Sequence, residues 1–148
     1  MSGLGEALYG GPSNLPASEL TQIYSFLAQI NIRLNISGAQ FTIFTMMANG
    51  ACVAAAERRA EYLWPVVRLN PQWYITSYSF LGTSVPGVSH TFNLLVYRAS
   101  DGNEYKWTVD NYLGIPAIDF KGTDLPWLSY PTKDNHTFYG DGRIISIS

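Results

Sequence analysis

Polar and apolar positions divide the chain into a helical front and a strand-rich remainder. Leu20, Ile23, Tyr24, Leu27 and Ile30 recur at three- and four-residue steps, the spacing of one helix face. Ser18 and Glu19 supply an N-cap and an acidic first turn. In "NIRLNIS", Ile32, Leu34 and Ile36 alternate as in a short strand, which Ser37-Gly38 ends. "AQFTIFTMMA" fits strand or helix equally. Asn49-Gly50 then opens a second helix, "ACVAAAERRAEYLWP", rich in alanine and ended by Pro65. Beyond it the period falls to two. "VVRLN", "WYITSYSF", "HTFNLLVYR", "YKWTVD" and "RIISIS" all read as strands, with a hairpin signal at Asp101-Gly102. Helices first and a mostly antiparallel sheet after them make an α+β fold. Residues 1–16, loose in composition with their glycines and prolines, read as a flexible arm, and residues 17–148 as a single domain.

Composition narrows the function classes. A chain of 148 residues buries a core without covalent staples. Its net charge of -2 and scattered Lys and Arg lack the basic stripe of a nucleic-acid binder. One cysteine excludes an internal disulfide and a cysteine-based metal cluster. The two histidines, His90 and His136, have no paired spacing, so a histidine metal site is not expected. No apolar run is long enough to span a membrane, and "MSGLGEALYGG" has neither the basic segment nor the apolar core of a Sec-type signal. The repeat of "SHTF" at Ser89–Phe92 in "NHTF" at Asn135–Phe138 is short enough to be accidental.

The single cysteine carries the sharpest question. Cys52 falls in the first turn of the second predicted helix. Free N–H groups there favour a thiolate and could stabilise an oxyanion formed as the sulfur attacks a carbonyl. Gly50 just before it would let a substrate approach the backbone. Against this stands a small cysteine packed among alanines. His90 begins a strand after the loop "GTSVPGVS", and Asp110 closes the partner strand. A hairpin turning at Asp101-Gly102 brings both to the same edge of the sheet. If residues 92 and 110 are opposite, His90 and Asp110 share a face on a diagonal of roughly 7–8 Å. A two-residue turn would part them, so the arrangement requires an odd-length turn or a bulge. His90 then serves as general base and Asp110 orients its ring. His136, in the turn-rich "PTKDNHTFYGDG", ranks below His90. Glu57, Arg58, Arg59 and Glu61 read as the wet face of their helix.

Together, "NGACVAAAERRAEYL" and "SHTFNLLVYRASDGNEYKWTVDNYLG" resemble the papain-like cysteine hydrolase superfamily, and within it bacterial papain-fold toxin and effector domains. The likeness covers roughly residues 49–114. It implies a papain-like fold with the cysteine helix packed on the sheet. Cys52 corresponds to the nucleophile, His90 to the base and Asp110 to the orienting acid. Asn93 matches the asparagine of the histidine strand, with a structural part. Asn111-Tyr112 stands where many relatives carry a glutamine after the acid. Gln40 is the nearest candidate for the glutamine that assists the oxyanion hole. The resemblance implies thioester chemistry on amides without metal or organic cofactor: deamidation or transamidation of protein glutamine, peptide cleavage, or cell-wall amidase activity. It further implies delivery from a bacterial cytoplasm by a specialised secretion system, and a cognate immunity or chaperone protein. The rival from another class is a non-catalytic binding module built on the aromatic-rich strands.

Overall fold

The computed structural model describes residues 9–47, 51–81, 89–112, 115–123, 135–139 and 144–147. Among them, helices α1 (Ala17–Met47) and α2 (Ala51–Val67) precede six strands. These are β1 (Trp73–Leu81), β2 (Ser89–Arg98), β3 (Glu104–Tyr112), β4 (Ile115–Gly122), β5 (Asn135–Tyr139) and β6 (Ile144–Ile147). The strands form one sheet in the order β4-β3-β2-β1-β5-β6, with every neighbouring pair antiparallel. The fold is therefore α+β, with both helices against one face of the sheet. No described helix is long and apolar enough to cross a membrane.

Helix α1 overturns two expectations. It runs straight through "NIRLNIS" and Ser37-Gly38, where a strand and a break were expected. The buried stripe Ile23, Leu27, Ile30 and Leu34 keeps helical spacing, while Ile32, the first residue of the apparent alternation, is exposed. Gly38 lowers helix stability by only about 1 kcal/mol, which a packed stripe offsets. The helix also starts at Ala17, one residue before the expected cap, with the Leu20 amide bonded to the Pro16 carbonyl. Arg33 ties α1 to α2: its Nε donates to the Tyr62 carbonyl at 2.9 Å, and its guanidinium lies 4.5 Å from the centre of the Tyr62 ring.

Pro65 does not stop α2, which continues to Val67. Val66 and Val67 therefore finish a helix instead of starting a strand. The helix ends where Asn70 takes over, its Nδ2 donating to the Val66 carbonyl and its amide to the Val67 carbonyl. Two strands escaped the sequence reading. Strand β4 carries Pro116, a residue that reads as a breaker but is tolerated at a sheet edge, which is where β4 lies. Strand β5 contains His136 within the stretch read as turns. The paired motifs "SHTF" and "NHTF" both form strands that flank β1, one on either side.

An aromatic cluster forms the centre of the core. Trp73 stacks on Phe26 with centroids 4.1 Å apart and lies 5.4 Å from Trp107, which lies 5.1 Å from Phe120. The segment expected to be a loose arm is packed from residue 9 onward. Trp107 Nε1 donates to the Gly10 carbonyl at 3.0 Å, and Leu15 is buried. Gly10 has φ +74°, and a Cβ there would come within 2.9 Å of the Phe120 side chain.

The start of α1 is latched to the β2–β3 loop through Glu19. Its carboxylate accepts hydrogen bonds from the Tyr97 hydroxyl at 2.7 Å, the Ser100 amide at 2.9 Å and the Ser100 hydroxyl. Partial burial works to raise this carboxyl, but the Ser100 and Tyr97 donors outweigh it and hold it below its ordinary value. Burial, with the Glu19 carboxylate beside it, pushes the Tyr97 hydroxyl up. The folded state thus favours ionised Glu19. Its contribution is complete above the ordinary carboxyl value of 4.5 and fades as pH falls through the lower folded value. Glu19→Ala is expected to cost about 1–2 kcal/mol at neutral pH, because the site is partly screened by solvent. Urea unfolding should show the gap between wild type and variant closing below about pH 4. A gap that persists unchanged there would exclude an ionic latch.

Candidate functional site

Cys52 is the second described residue of α2, as its spacing predicts. Gln40 lies within α1, and Gly50 lies outside the described residues. The side chains of Cys52, His90, Gln40 and His136 also lie outside them, so for these four the backbone placement carries the argument.

The hairpin joining β2 to β3 meets the parity condition. Pairing runs from Arg98–Glu104 to Asn93–Val109, leaving residues 99–103 as a five-residue loop. Gly102 adopts φ +87°, and the Ala99 amide donates to the Asn103 carbonyl at 2.9 Å. The loop is odd in length, so extending the ladder past its last pair, Asn93–Val109, would set residue 92 opposite residue 110 and give His90 and Asp110 the same phase. The pairing itself stops at Val109, and Asp110 meets Arg59 from the helix layer. On the other side of β2, the ladder with β1 is unbroken and sets His90 opposite Phe80.

The two faces differ. Asn93, Leu95, Tyr97, Trp107 and Val109 belong to the face that the helices cover, while Phe92, Leu94 and Val96 cluster with Tyr74 on the other. His90 shares the phase of Phe92, and Cys52 belongs to the helix layer. The other histidine differs. Phe138 pairs with Ile75, a residue of the helix-covered face, and His136 lies two residues away in the same phase. Helix α2 packs against β5 as well as against β1 and β2.

Around Asp110 the described side chains form a network that reasoning from sequence missed. Arg59, expected on the wet face of its helix, is completely buried. Its Nε donates to Asn93 Oδ1 at 2.6 Å, and its Nη2 lies 3.4 Å from Asp110 Oδ1. Asn93, equally buried, donates from Nδ2 to the Ala56 carbonyl at 2.9 Å and the Thr76 carbonyl at 3.3 Å. One amide side chain thus joins α2, β1 and the buried cation. A signal was present in the spacing: Arg59 lies three residues after Ala56 and four before Leu63, both buried, so it falls within the apolar stripe. The Asp110 side chain keeps 22% of its exposure, so its carboxylate touches Arg59 on one side and solvent on another.

Chemically, the cluster holds a permanent cation, an anion and an amide at the end of the β2–β3 ladder. Removing a guanidinium from water costs several kcal/mol, offset here by the Asp110 carboxylate and the Asn93 oxygen. Among the described residues, no group of His, Cys, Asp or Glu could hold a metal ion. Comparison with family models, curated proteins and solved structures gives no match in any of the three.

Proposed function

We propose that the protein is a cysteine-dependent amide hydrolase or acyltransferase of papain-like arrangement, with Cys52 as nucleophile, His90 as base and Asp110 as the acid that orients it. The observation that carries this reading is the Asn93 hydrogen bond to the Ala56 carbonyl. It fastens α2 one turn after Cys52 to β2 three residues after His90; His90 has the phase opposite to Asn93, so its imidazole must come past the end of the strand to meet Cys52. The odd-length β2–β3 loop, which would give His90 and Asp110 one phase if the ladder were extended, adds to it.

In this mechanism the Cys52 thiolate adds to an amide carbonyl, and the negative charge formed on oxygen meets free N–H groups at the helix start. The imidazolium of His90 gives its proton to the departing amine as the C–N bond breaks, leaving a thioester. Water or an amine, deprotonated by His90, then attacks the thioester and releases the sulfur. Water on a glutamine thioester completes a deamidation; an amine completes a transamidation. Modification of protein glutamine is the favoured activity, with peptide cleavage and peptidoglycan amidase action as variants of the same step. Delivery as a bacterial effector, with a cognate immunity or chaperone protein, belongs to this proposal.

A second assignment of the base has its own observation: His136 shares the phase of the helix-covered face on a strand that α2 contacts. Alkylation by iodoacetamide separates the two. Cys52 is expected to react at about pH 6 roughly tenfold faster than a free cysteine thiol, because the helix start and the imidazolium would enlarge its thiolate fraction. His90→Ala should abolish that advantage and His136→Ala should leave it. The reverse pattern transfers the base to His136. Slow, alkaline labelling in all three proteins would remove the enzyme reading and leave the binding module.

A further inference from the structure

We propose that Arg59 is a positioning residue for this site, acting on His90 through Asp110; the inference rests on the Cys52–His90–Asp110 reading. Asp110 sits where the β2–β3 pairing has ended, one residue past Val109. A carboxylate at the end of a ladder, partly exposed, has several rotamers of similar energy. Arg59 removes that freedom. Its guanidinium approaches from the helix layer, fixed by a 2.6 Å bond to Asn93 Oδ1, and presents Nη2 to Asp110 Oδ1. Asn93 is itself fixed by two backbone carbonyls, Ala56 and Thr76. The chain of contacts therefore ends on rigid backbone, and the guanidinium is wholly buried.

Stability alone is a weak reason for such an arrangement. A well-packed apolar side chain of similar volume often does as well as a buried ion pair. What an apolar side chain could not do is hold an anion in one orientation at the sheet's end. An acid that orients a catalytic imidazole must do this, since its hydrogen bond selects which ring nitrogen carries the proton. Arg59 also places a permanent positive charge 3.4 Å from the Asp110 carboxylate, since a guanidinium does not lose its own proton. A lysine in its place would carry the charge on a single nitrogen, without the planar fork that serves Asn93 and Asp110 together.

The test reads the neutral tautomer of His90 by nitrogen NMR, with His136 as the second histidine signal, in wild type, Asp110→Asn, Arg59→Met and the double variant. Wild type is expected to hold one His90 tautomer, and Asp110→Asn to reduce the ratio of the two tautomers by about tenfold, the loss of one charge-assisted bond. Arg59→Met should reduce it by a similar factor, and adding it to Asp110→Asn should change nothing further. That non-additivity is the signature of action through Asp110. A general loosening of the fold would instead add its effect in both backgrounds. Should Arg59→Met not fold, Arg59→Lys replaces it in the same cycle, with the same loss expected. If Asp110→Asn alters the tautomer and neither Arg59 variant does, the positioning role is wrong and the triad stands. If Asp110→Asn itself has no effect, the triad reading fails first.

Discussion

Replacing Trp107 by alanine is expected to destabilise the protein by about 3–5 kcal/mol, the range for emptying a buried aromatic site. Trp107 is completely buried and is the largest such side chain among the described residues. It joins three parts of the chain. Its ring meets Trp73 of β1 and Phe120 of β4, and its Nε1 holds the carbonyl of Gly10 in the amino-terminal segment. Alanine removes all three contacts, and the cavity lies among other rigid rings that cannot collapse into it easily. For a domain of this size the melting temperature should fall by on the order of 10 °C. Trp107→Phe separates the contributions. It keeps most of the packing and loses the bond to Gly10, so a cost of about 1–2 kcal/mol is expected. It should also make the segment at residues 9–16 easier for a protease to cut, before global unfolding. Equal protease resistance in Trp107→Phe and wild type would mean that the segment is held by Leu15 and its neighbours without the indole bond.

What could be read from the sequence depended on whether the signal was local. The hairpin between β2 and β3 was legible because Asp101-Gly102 stands between two alternating runs, and the Cys52 helix because Asn49-Gly50 precedes an alanine-rich stretch. Register parity was legible only as a condition, since loop length decides it and a turn dipeptide does not specify where pairing resumes. The failures share a cause: tertiary packing outweighed a local cue. Ile32, Leu34 and Ile36 alternate over five residues, yet Leu34 continues a stripe that began at Ile23. Pro65 falls in the last turn of α2, where it interrupts one hydrogen bond while Val67 is still being buried. Strand β4 keeps Pro116 only because it lies at the edge, and an edge position is a property of the sheet and not of the segment. Arg59 follows the same rule: its charge suggests solvent, but its helical phase between Ala56 and Leu63 points inward, and phase prevails. The backbone placement of Cys52 near a helix start and the odd-length hairpin loop were within reach of the sequence; the Arg59 partner of Asp110 was not.

Asn93→Leu is expected to cost about 3 kcal/mol, although leucine keeps the branched outline of asparagine with a somewhat larger volume. Most of the loss is polar. Leucine leaves the Arg59 Nε without its 2.6 Å acceptor in a wholly buried place, and an uncompensated buried charge group is the costliest kind of vacancy. The Thr76 and Ala56 carbonyls lose a donor as well. The Ala56 loss is the milder one, because a carbonyl within a helix keeps its intrahelical bond. The decisive comparison is with the double variant Asn93→Leu/Arg59→Met. Removing the cation together with its acceptor converts a broken polar pair into apolar packing, so the double variant should be more stable than Asn93→Leu alone by about 1–3 kcal/mol. Asp110 limits that recovery. Its carboxylate loses Arg59 in the double variant, but it retains access to solvent and can be hydrated. Urea unfolding of the wild type, both single variants and the double gives the coupling directly. If the double variant is less stable than Asn93→Leu, the Arg59–Asp110 contact outweighs the Arg59–Asn93 bond, and the 3.4 Å pair, not the 2.6 Å one, holds the cation in place.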